Sequence, residues 1–162
     1  MTSSQLQQEY QRKLISPEQA AGLVASGMSI FLGASANIAR VIDRHLARRK
    51  NELSEVTIRT TLDTAEHEFL KADPQGEVFK WYSGFFLHSV RPHVAARGSG
   101  IYWAQSWHMA PTVIRQQLQK DISFIVTAPM DAHGYFNFGL SVTEGLWKAR
   151  PTIGGAVGGI PL

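Results

Sequence analysis

The stretch from Asp121 to Thr143, DISFIVTAPMDAHGYFNFGLSVT, decides the fold. Ile122 to Ala128 is a mostly apolar run rich in β-branched side chains, bracketed by Asp121 and Pro129. A strand that is apolar on both faces needs both faces covered, so an inner strand of a parallel sheet is expected here. A loop of unlike residues follows at once: Pro129, Met130, Asp131, His133, Gly134, Tyr135, Asn137, Gly139. In open α/β sheets, ligands sit outside the carboxyl ends of the strands. The loop after this strand is therefore expected to line a pocket.

Working back toward the N-terminus, the same alternation of strand and helix recurs. Ser16-Pro17-Glu18 has the form of an N-cap with proline at the first helical position and opens a helix expected through Ala25. Met28 to Leu32 reads as a short strand, and Gly33-Ala34-Ser35-Ala36-Asn37 turns out of it. Ile38, Val41, Ile42, His45 and Leu46 then recur at helical spacing. Val56 to Thr61 alternates as a strand should and completes a βαβ unit with a right-handed crossover. Asp73-Pro74-Gln75-Gly76 marks a turn. The aromatic segment Val78 to Leu87 reads as core or partner interface, and Arg91 to Arg97 as a short helix. Ile101 to Ala104 is expected to be a strand, Pro111 to Gln119 a helix, and Val142 to Lys148 a last helical turn or two. The alternation predicts an α/β domain with a layered, open, mostly parallel sheet and helices on both faces.

Composition narrows the function classes. The chain has 162 residues, 44% of them hydrophobic and 18% charged, enough for one domain with a real core. Cysteine is absent, which removes disulfides, zinc-thiolate sites and thiol nucleophiles, and suits a reducing, cytoplasmic setting. The polar N-terminus, MTSSQLQQEYQRKL, lacks the apolar core of a signal peptide. No apolar run approaches the roughly 20 residues that span a bilayer, so no membrane partner is expected. The densest basic cluster, Arg44 to Lys50, falls toward the end of a predicted helix, where cations suit the dipole. No nucleic-acid motif accompanies it, and nucleic acid is set aside as a partner.

Three groups of residues invite chemistry. The turn Gly33–Asn37 precedes a helix, so its backbone N–H groups are placed to receive an anion or acyl oxygen. It equally fits a tight strand-to-helix turn that needs small residues. It matches neither GxGxxG nor a Walker loop. Asp131 and His133 read in three ways: as metal ligands short of a further partner, as an acid–base pair, or as a turn in which Asp131 caps and Gly134 supplies a positive φ. Ser106-Trp107-His108 also follows an expected strand, but the GxSxG elbow that exposes a hydrolytic serine is missing.

Four segments in order carry a family resemblance: YQRKLISPEQAAGLVASGMSIFLG, GFFLHSVRPHV, IYWAQSWHMAP and DISFIVTAPMDAHGYFNFGLSV. Together they resemble the N-terminal domain of the acetyl-CoA hydrolase/CoA-transferase family, the branch that includes 4-hydroxybutyrate CoA-transferase. The resemblance runs from Tyr10 to about Ala149, and the last segment is the most specific. It implies two similar α/β domains with the active site between them. It also implies a coenzyme A thioester as substrate, a small carboxylate as the other partner, and no permanently bound cofactor. A glutamate of the second domain would attack the acyl-CoA carbonyl, giving an enzyme-bound glutamyl-CoA thioester that passes CoA to an acceptor carboxylate or to water. The site residues carried over are wall residues. Gly33, Ala34 and Ser35 border the site from the first strand and Ser106 from the middle. Met130, His133, Gly134, Tyr135, Phe138 and Gly139 line the acyl or acceptor side.

None of the eight glutamates sits in a context resembling the nucleophile, and no residue is assigned a catalytic role. Arg150 to Leu162, RPTIGGAVGGIPL, holds four glycines and two prolines. It reads as an atypical apolar tail after a 1–149 domain, with the chain cut short before a second domain. Activity is expected only with that domain, and the expected protein partner is a second CoA-transferase domain or a homo-oligomer. A non-catalytic binding or assembly module is the alternative. A sugar-phosphate isomerase-like enzyme would need a base in the 130–139 loop, where only Asp131 qualifies.

Overall fold

The computed structural model describes residues 2–96, 100–104, 106–109, 112, 121–139 and, for the backbone alone, 156–159. Five helices are found among them: α1 (Ser3–Lys13), α2 (Pro17–Gly22), α3 (Arg40–Arg48), α4 (Glu68–Ala72) and α5 (Arg91–Ala95). Six strands are found as well: β1 (Ser29–Ala34), β2 (Val56–Thr61), β3 (Phe79–Ser83), β4 (Gly100–Tyr102), β5 (Ile122–Thr127) and β6 (Ala156–Gly159). They form one sheet in the order β4-β3-β2-β1-β5-β6, and every pairing is parallel. The expected α/β fold with an inner strand at 122–128 is therefore present. β5 lies between β1 and β6, and five of its six residues are buried.

The register sorts the strand side chains onto two faces. Ile122, Ile30, Ile58, Trp81 and Gly100 fall in one row across the sheet. On this face Leu32, Val56 and Phe79 join them, packed against Ala21 and Val24, Ile42 and Leu46 of α3, and Phe69 and Leu70 of α4. Each fully buried aliphatic or aromatic side chain contributes about 1.5–3 kcal/mol, so this face holds most of the fold's stability. Gly100 has a packing reason to be glycine: a Cβ there would stand 2.9 Å from the Trp81 ring. The second face alternates with the first and carries Ser123, Phe31, Arg59, Tyr82 and Ile101 in the next row.

Several local expectations are corrected. The polar N-terminus is a helix, α1, closed by a capping box in which Thr2 Oγ1 accepts from Gln5 N and Thr2 N donates to Gln5 Oε1. The helix opened by Ser16 ends at Gly22 rather than Ala25, where Leu23 N turns back to the carbonyls of Ala20 and Ala21. β1 runs to Ala34, so Gly33 and Ala34 belong to the strand and not to the turn. α3 begins at Arg40, because a 3-10 turn over Ser35–Asn37 comes first. Within the aromatic segment, Phe79 and Trp81 are core while Phe85 is half-exposed. Of the helices expected at 111–119 and 142–148, Thr112 alone is among the described residues, and it is helical. Four residues of the Gly-rich tail pair with β5 as β6, from Phe124↔Ala156 to Thr127↔Gly159.

The basic cluster has intramolecular work. Arg49 Nη1 donates to the carbonyls of Ala21 (2.6 Å) and Val24 (2.9 Å), closing the end of α2. Lys50 Nζ lies 3.3 Å from Asp73 Oδ1. Asp73, at the turn read from sequence, also accepts from the N–H groups of Glu77, Val78 and Phe79, which start β3. Burial pushes its carboxyl up, but these donors and Lys50 outweigh that and hold it below the usual range.

Candidate functional site

The strand order runs β1, β2, β3, β4 in one direction and then returns to the other side of β1 for β5. The order reverses between β1 and β5, and the carboxyl ends of strands at such a switch point bound the crevice where open α/β sheets hold ligands. The two segments singled out from sequence, the turn after β1 and the loop after β5, leave the sheet side by side at this point. They touch: Asn37 Nδ2, on a buried residue, donates to the Phe138 carbonyl at 3.3 Å.

The turn after β1 is held tightly. Gly33 has φ +111°, and a Cβ there would stand 2.2 Å from the Asn37 carbonyl oxygen. Ser35 has φ +51° although it is not glycine. At the end of the neighbouring β2, Leu62 has φ +54°. Side chains in this region of φ cost about 1–3 kcal/mol each and persist where surroundings enforce them, commonly at functional sites. Gly33 and Ala34 are buried and Ser35 is half-buried.

The loop after β5 is a closed hairpin. Ala128 N donates to the Asn137 carbonyl (2.8 Å), Asp131 N to the Tyr135 carbonyl (3.0 Å) and Gly134 N to the Asp131 carbonyl (3.1 Å). Asp131 Oδ1 accepts from the N–H groups of Tyr135 (2.9 Å) and His133 (2.8 Å), which hold its carboxyl below the usual range. Of the three readings left open for Asp131 and His133, the capped turn is the one found, with Gly134 at φ +85°. Among the described residues no group of three His, Cys, Asp or Glu has the arrangement to hold a metal ion. Met130 and Phe138 are half-buried, His133 and Gly139 are exposed, and Tyr135 is 72% exposed.

One side of the hairpin is covered by α1, which sequence reasoning did not connect to it. Ser3 Oγ donates to the Ala132 carbonyl (2.9 Å), Leu6 lies against Gly134, and Tyr10 meets Phe136 edge-on at 5.7 Å. Ser3, Leu6 and Tyr10 share a face at helical spacing. Ser106 is not brought in: among the described residues no hydrogen bond ties it to either loop, and its carbonyl closes a 3-10 turn by accepting from Met109 N. A cavity of about 410 Å³ lies elsewhere, between β4 and α5, lined by Phe85, Phe86, Arg91, Val94, Ala95 and Tyr102.

Below the crevice, a buried polar cluster fixes the loops after β2 and β3. His67 Nε2 is 2.8 Å from Asp63 Oδ1, and Ser83 Oγ donates to Asp63 Oδ2 at 2.6 Å. His67 Nδ1 lies 3.4 Å from Asp43 Oδ2, an ion-pair contact without hydrogen-bond alignment. Asp43 also accepts from the N–H groups of Glu68 and Phe69, capping α4 from α3. Burial pulls the His67 imidazole down, but the carboxylates of Asp43 and Asp63 outweigh burial and hold it above its ordinary value. The Asp63-x-x-x-His67 spacing was visible in the sequence; Asp43 was not an evident partner for it.

Chemically the crevice offers strained turns, hydroxyls and aromatic surface. Glu66 and Glu68 are paired with His93 and Lys71. The one carboxylate on the two loops, among the described residues, is Asp131, and it is engaged in capping its own hairpin.

Comparisons with known proteins agree with this architecture. The family model described as "Acetyl-CoA hydrolase/transferase N-terminal domain" matches residues 1–149. The "Probable butyrate:acetyl-CoA coenzyme A-transferase" of Syntrophomonas wolfei is 33% identical over 135 residues, 83% of this chain and 30% of that protein. The "Butyryl-CoA:acetate CoA-transferase" of Anaerostipes caccae is 29% identical over 85% of this chain and 31% of its own length. The chain thus spans about a third of the length of these relatives. Among solved structures, RipA from Yersinia pestis superposes with a TM-score of 0.83 at 23% identity, over 98% of this chain and 38% of RipA. The 4-hydroxybutyrate CoA-transferase of Porphyromonas gingivalis gives 0.63 at 15% identity, over 94% of this chain and 34% of that one. These two likenesses speak to the fold, whereas the family model reads the sequence itself over nearly its whole length: the chain belongs to the acetyl-CoA hydrolase/transferase N-terminal domain family.

Proposed function

We propose that this chain forms the N-terminal wall of the active site of an acyl-CoA:carboxylate CoA-transferase or acetyl-CoA hydrolase. It moves CoA between an acyl-CoA and a small, acetate-type carboxylate once joined to a second domain. The observation that supports this most is the meeting of the β1 turn and the β5 hairpin at the switch point, bridged by Asn37 and the Phe138 carbonyl. The relatives named for butyrate and acetate exchange point to the same substrate class.

The reaction divides between the two halves. A glutamate carboxylate of the second domain attacks the thioester carbonyl and expels CoA as thiolate, leaving a mixed anhydride. The thiolate then attacks the glutamyl carbonyl, releasing the first carboxylate and forming the glutamyl-CoA thioester; the acceptor carboxylate reverses the sequence. This chain's share is to wall the acyl group with Gly33, Ala34, Ser35, Met130, Phe138 and Gly139, and to present His133, Gly134 and Tyr135 at the rim. Ser106 contributes only if the second domain closes over it. CoA enters as substrate and not as a resident cofactor, in the cytoplasm, where a cysteine-free chain is at home.

Mixing the purified chain with butyryl-CoA, labelled acetate and a separately made second domain should raise CoA exchange well above the second domain alone. No gain in any of several ratios would sink the proposal. The alternative, a non-catalytic assembly module, draws on the paired state of Glu66 and Glu68. It expects stable pairing with the second domain and no exchange.

A further inference from the structure

β4 lies at one edge of the sheet and, among the described residues, pairs with β3 alone. Edge strands are commonly blunted by charge or proline, yet Gly100 to Ala104, GIYWA, has neither. Trp103 N donates to the Ser83 carbonyl (2.9 Å), so Ile101 and Trp103 turn their amides toward β3. Tyr102, between them, turns its N–H and C=O outward from the sheet. Beside this edge runs the groove of about 410 Å³ between β4 and α5. The Phe86 ring lies at its base, 5.1 Å from the Trp81 ring and 5.8 Å from that of Tyr102. Val94 and Ala95 of α5 line one side and Tyr102 of β4 the other. At one end the two elements close on each other: a Cβ on Gly100 would stand 3.0 Å from Val94 Cγ2. α5 precedes β4 and runs toward this end, so Arg91 stands at the other end of the groove.

The groove is apolar with one cation. Arg91 Nε donates to the Phe86 carbonyl (3.3 Å), and its guanidinium meets no carboxylate among the described residues; Glu66 is taken by His93. Phe85, Ile101 and Tyr102 are each about half exposed, and apolar surface gathered in one place marks an interaction site. An open strand edge, an apolar groove alongside it and a cation at one end meet the needs of strand addition. Main-chain hydrogen bonds hold the guest, and pockets for alternate side chains select it. We infer that β4 and α5 form a docking groove for an extended segment of another polypeptide, bearing an apolar side chain and a carboxylate close to it. The guest pairs with the N–H and C=O of Tyr102. One of its side chains drops onto Phe86, the next lies beside Ile101 on the opposite face, and its carboxylate meets Arg91. The inference is independent of CoA transfer, since the groove is at the sheet edge and the switch point is at β1 and β5.

The test uses the 162-residue chain and synthetic hexapeptides, randomised in sequence and made with a free or an amidated C-terminus. The pool is passed over the immobilised chain, and the best binder, labelled with fluorescein, is titrated by anisotropy. The expected selection is an apolar residue with a carboxylate within two positions of it. Arg91→Gln removes the cation, and Ala95→Trp fills the groove from the exposed side of α5. Each should weaken the binder by about tenfold or more. An N-methyl scan along the peptide should find at least one amide whose loss is as damaging, the donor to the Tyr102 carbonyl. No selection above a blank support overturns the inference, as does a binder that Arg91→Gln or Ala95→Trp leaves unchanged. A binder that tolerates N-methylation at every amide overturns it too, and this arm needs only the unmutated chain should a variant fail to fold. Sedimentation without peptide tests the rival occupant. A dimer that Ala95→Trp splits, with no peptide selected, would give the groove to a second copy and overturn the inference.

Discussion

Thr60 and Thr61 are neighbours in β2, equally buried, and opposite in fate. Thr60 faces the helices, where its Oγ1 accepts from Trp81 Nε1 at 2.8 Å; Thr61 faces away, and its hydroxyl has no hydrogen-bond partner among the described residues. The contrast extends across the sheet. On the helix side, the buried polar side chains are knitted together: Asp63 takes Ser83 and His67, and Asp43 caps α4. At the strand ends of the other side, Thr61 Oγ1 and Thr127 Oγ1 have no hydrogen-bond partner among the described residues.

The sharpest way to break this comparison is Trp81→Ala. Removing the ring opens a cavity among Phe69, Phe79 and Phe86 and orphans Thr60, and should cost about 3–5 kcal/mol by denaturant unfolding. A loss under 1 kcal/mol would show that the helix side is not the stability core.

His67 is next. Its folded pKa is raised, so its contribution is fully present below the ordinary imidazole value of about 6.5 and fades as pH rises through the higher folded value. Unfolding free energy should therefore fall as pH is taken upward from about 6, and His67→Gln should flatten that slope. A slope that survives in His67→Gln would place the titration elsewhere.

Thr60→Val should cost about 1–3 kcal/mol, since it strands a buried indole N–H, whereas Thr61→Val should be neutral or slightly stabilising. Equal effects at the two positions would erase the distinction between the faces. The smallest effect is expected at Tyr10→Ala. Its loss should change global stability by about 0.5–1 kcal/mol, yet amide exchange across 131–136 should quicken, because α1 leans on that hairpin.

Much of this was legible in the sequence, for physical reasons that are local. β5 announces itself because a run apolar on both faces has few other homes, and β2 because its alternation is regular. The hairpin after β5 was marked by Asp131 and Gly134, whose backbone preferences need no tertiary context. What sequence hid were relations between distant segments. The shift of register between Phe31 and Ala34 moved Gly33 into the strand, and no propensity encodes that. α1 escaped notice because its composition is polar, though Thr2 and Gln5 form a capping box that was there to be read. Ser106 was placed at the site by resemblance, and the described contacts leave it apart from both loops. Thr61 and Thr127 looked like ordinary strand threonines; what sets them apart is that their hydroxyls have no partner among the described residues.

The strand order carries a last consequence, for the route by which the chain folds. β1 to β4 are laid down side by side in sequence, whereas β5 must return to β1 across 92 residues, where Asp121 binds Ser29 N. Short-range pairings close early and distant ones late. The crevice, bounded by one early and one late strand, is therefore the part of the molecule completed at the end. A nascent chain can be compact and well packed on its helix side before the crevice exists.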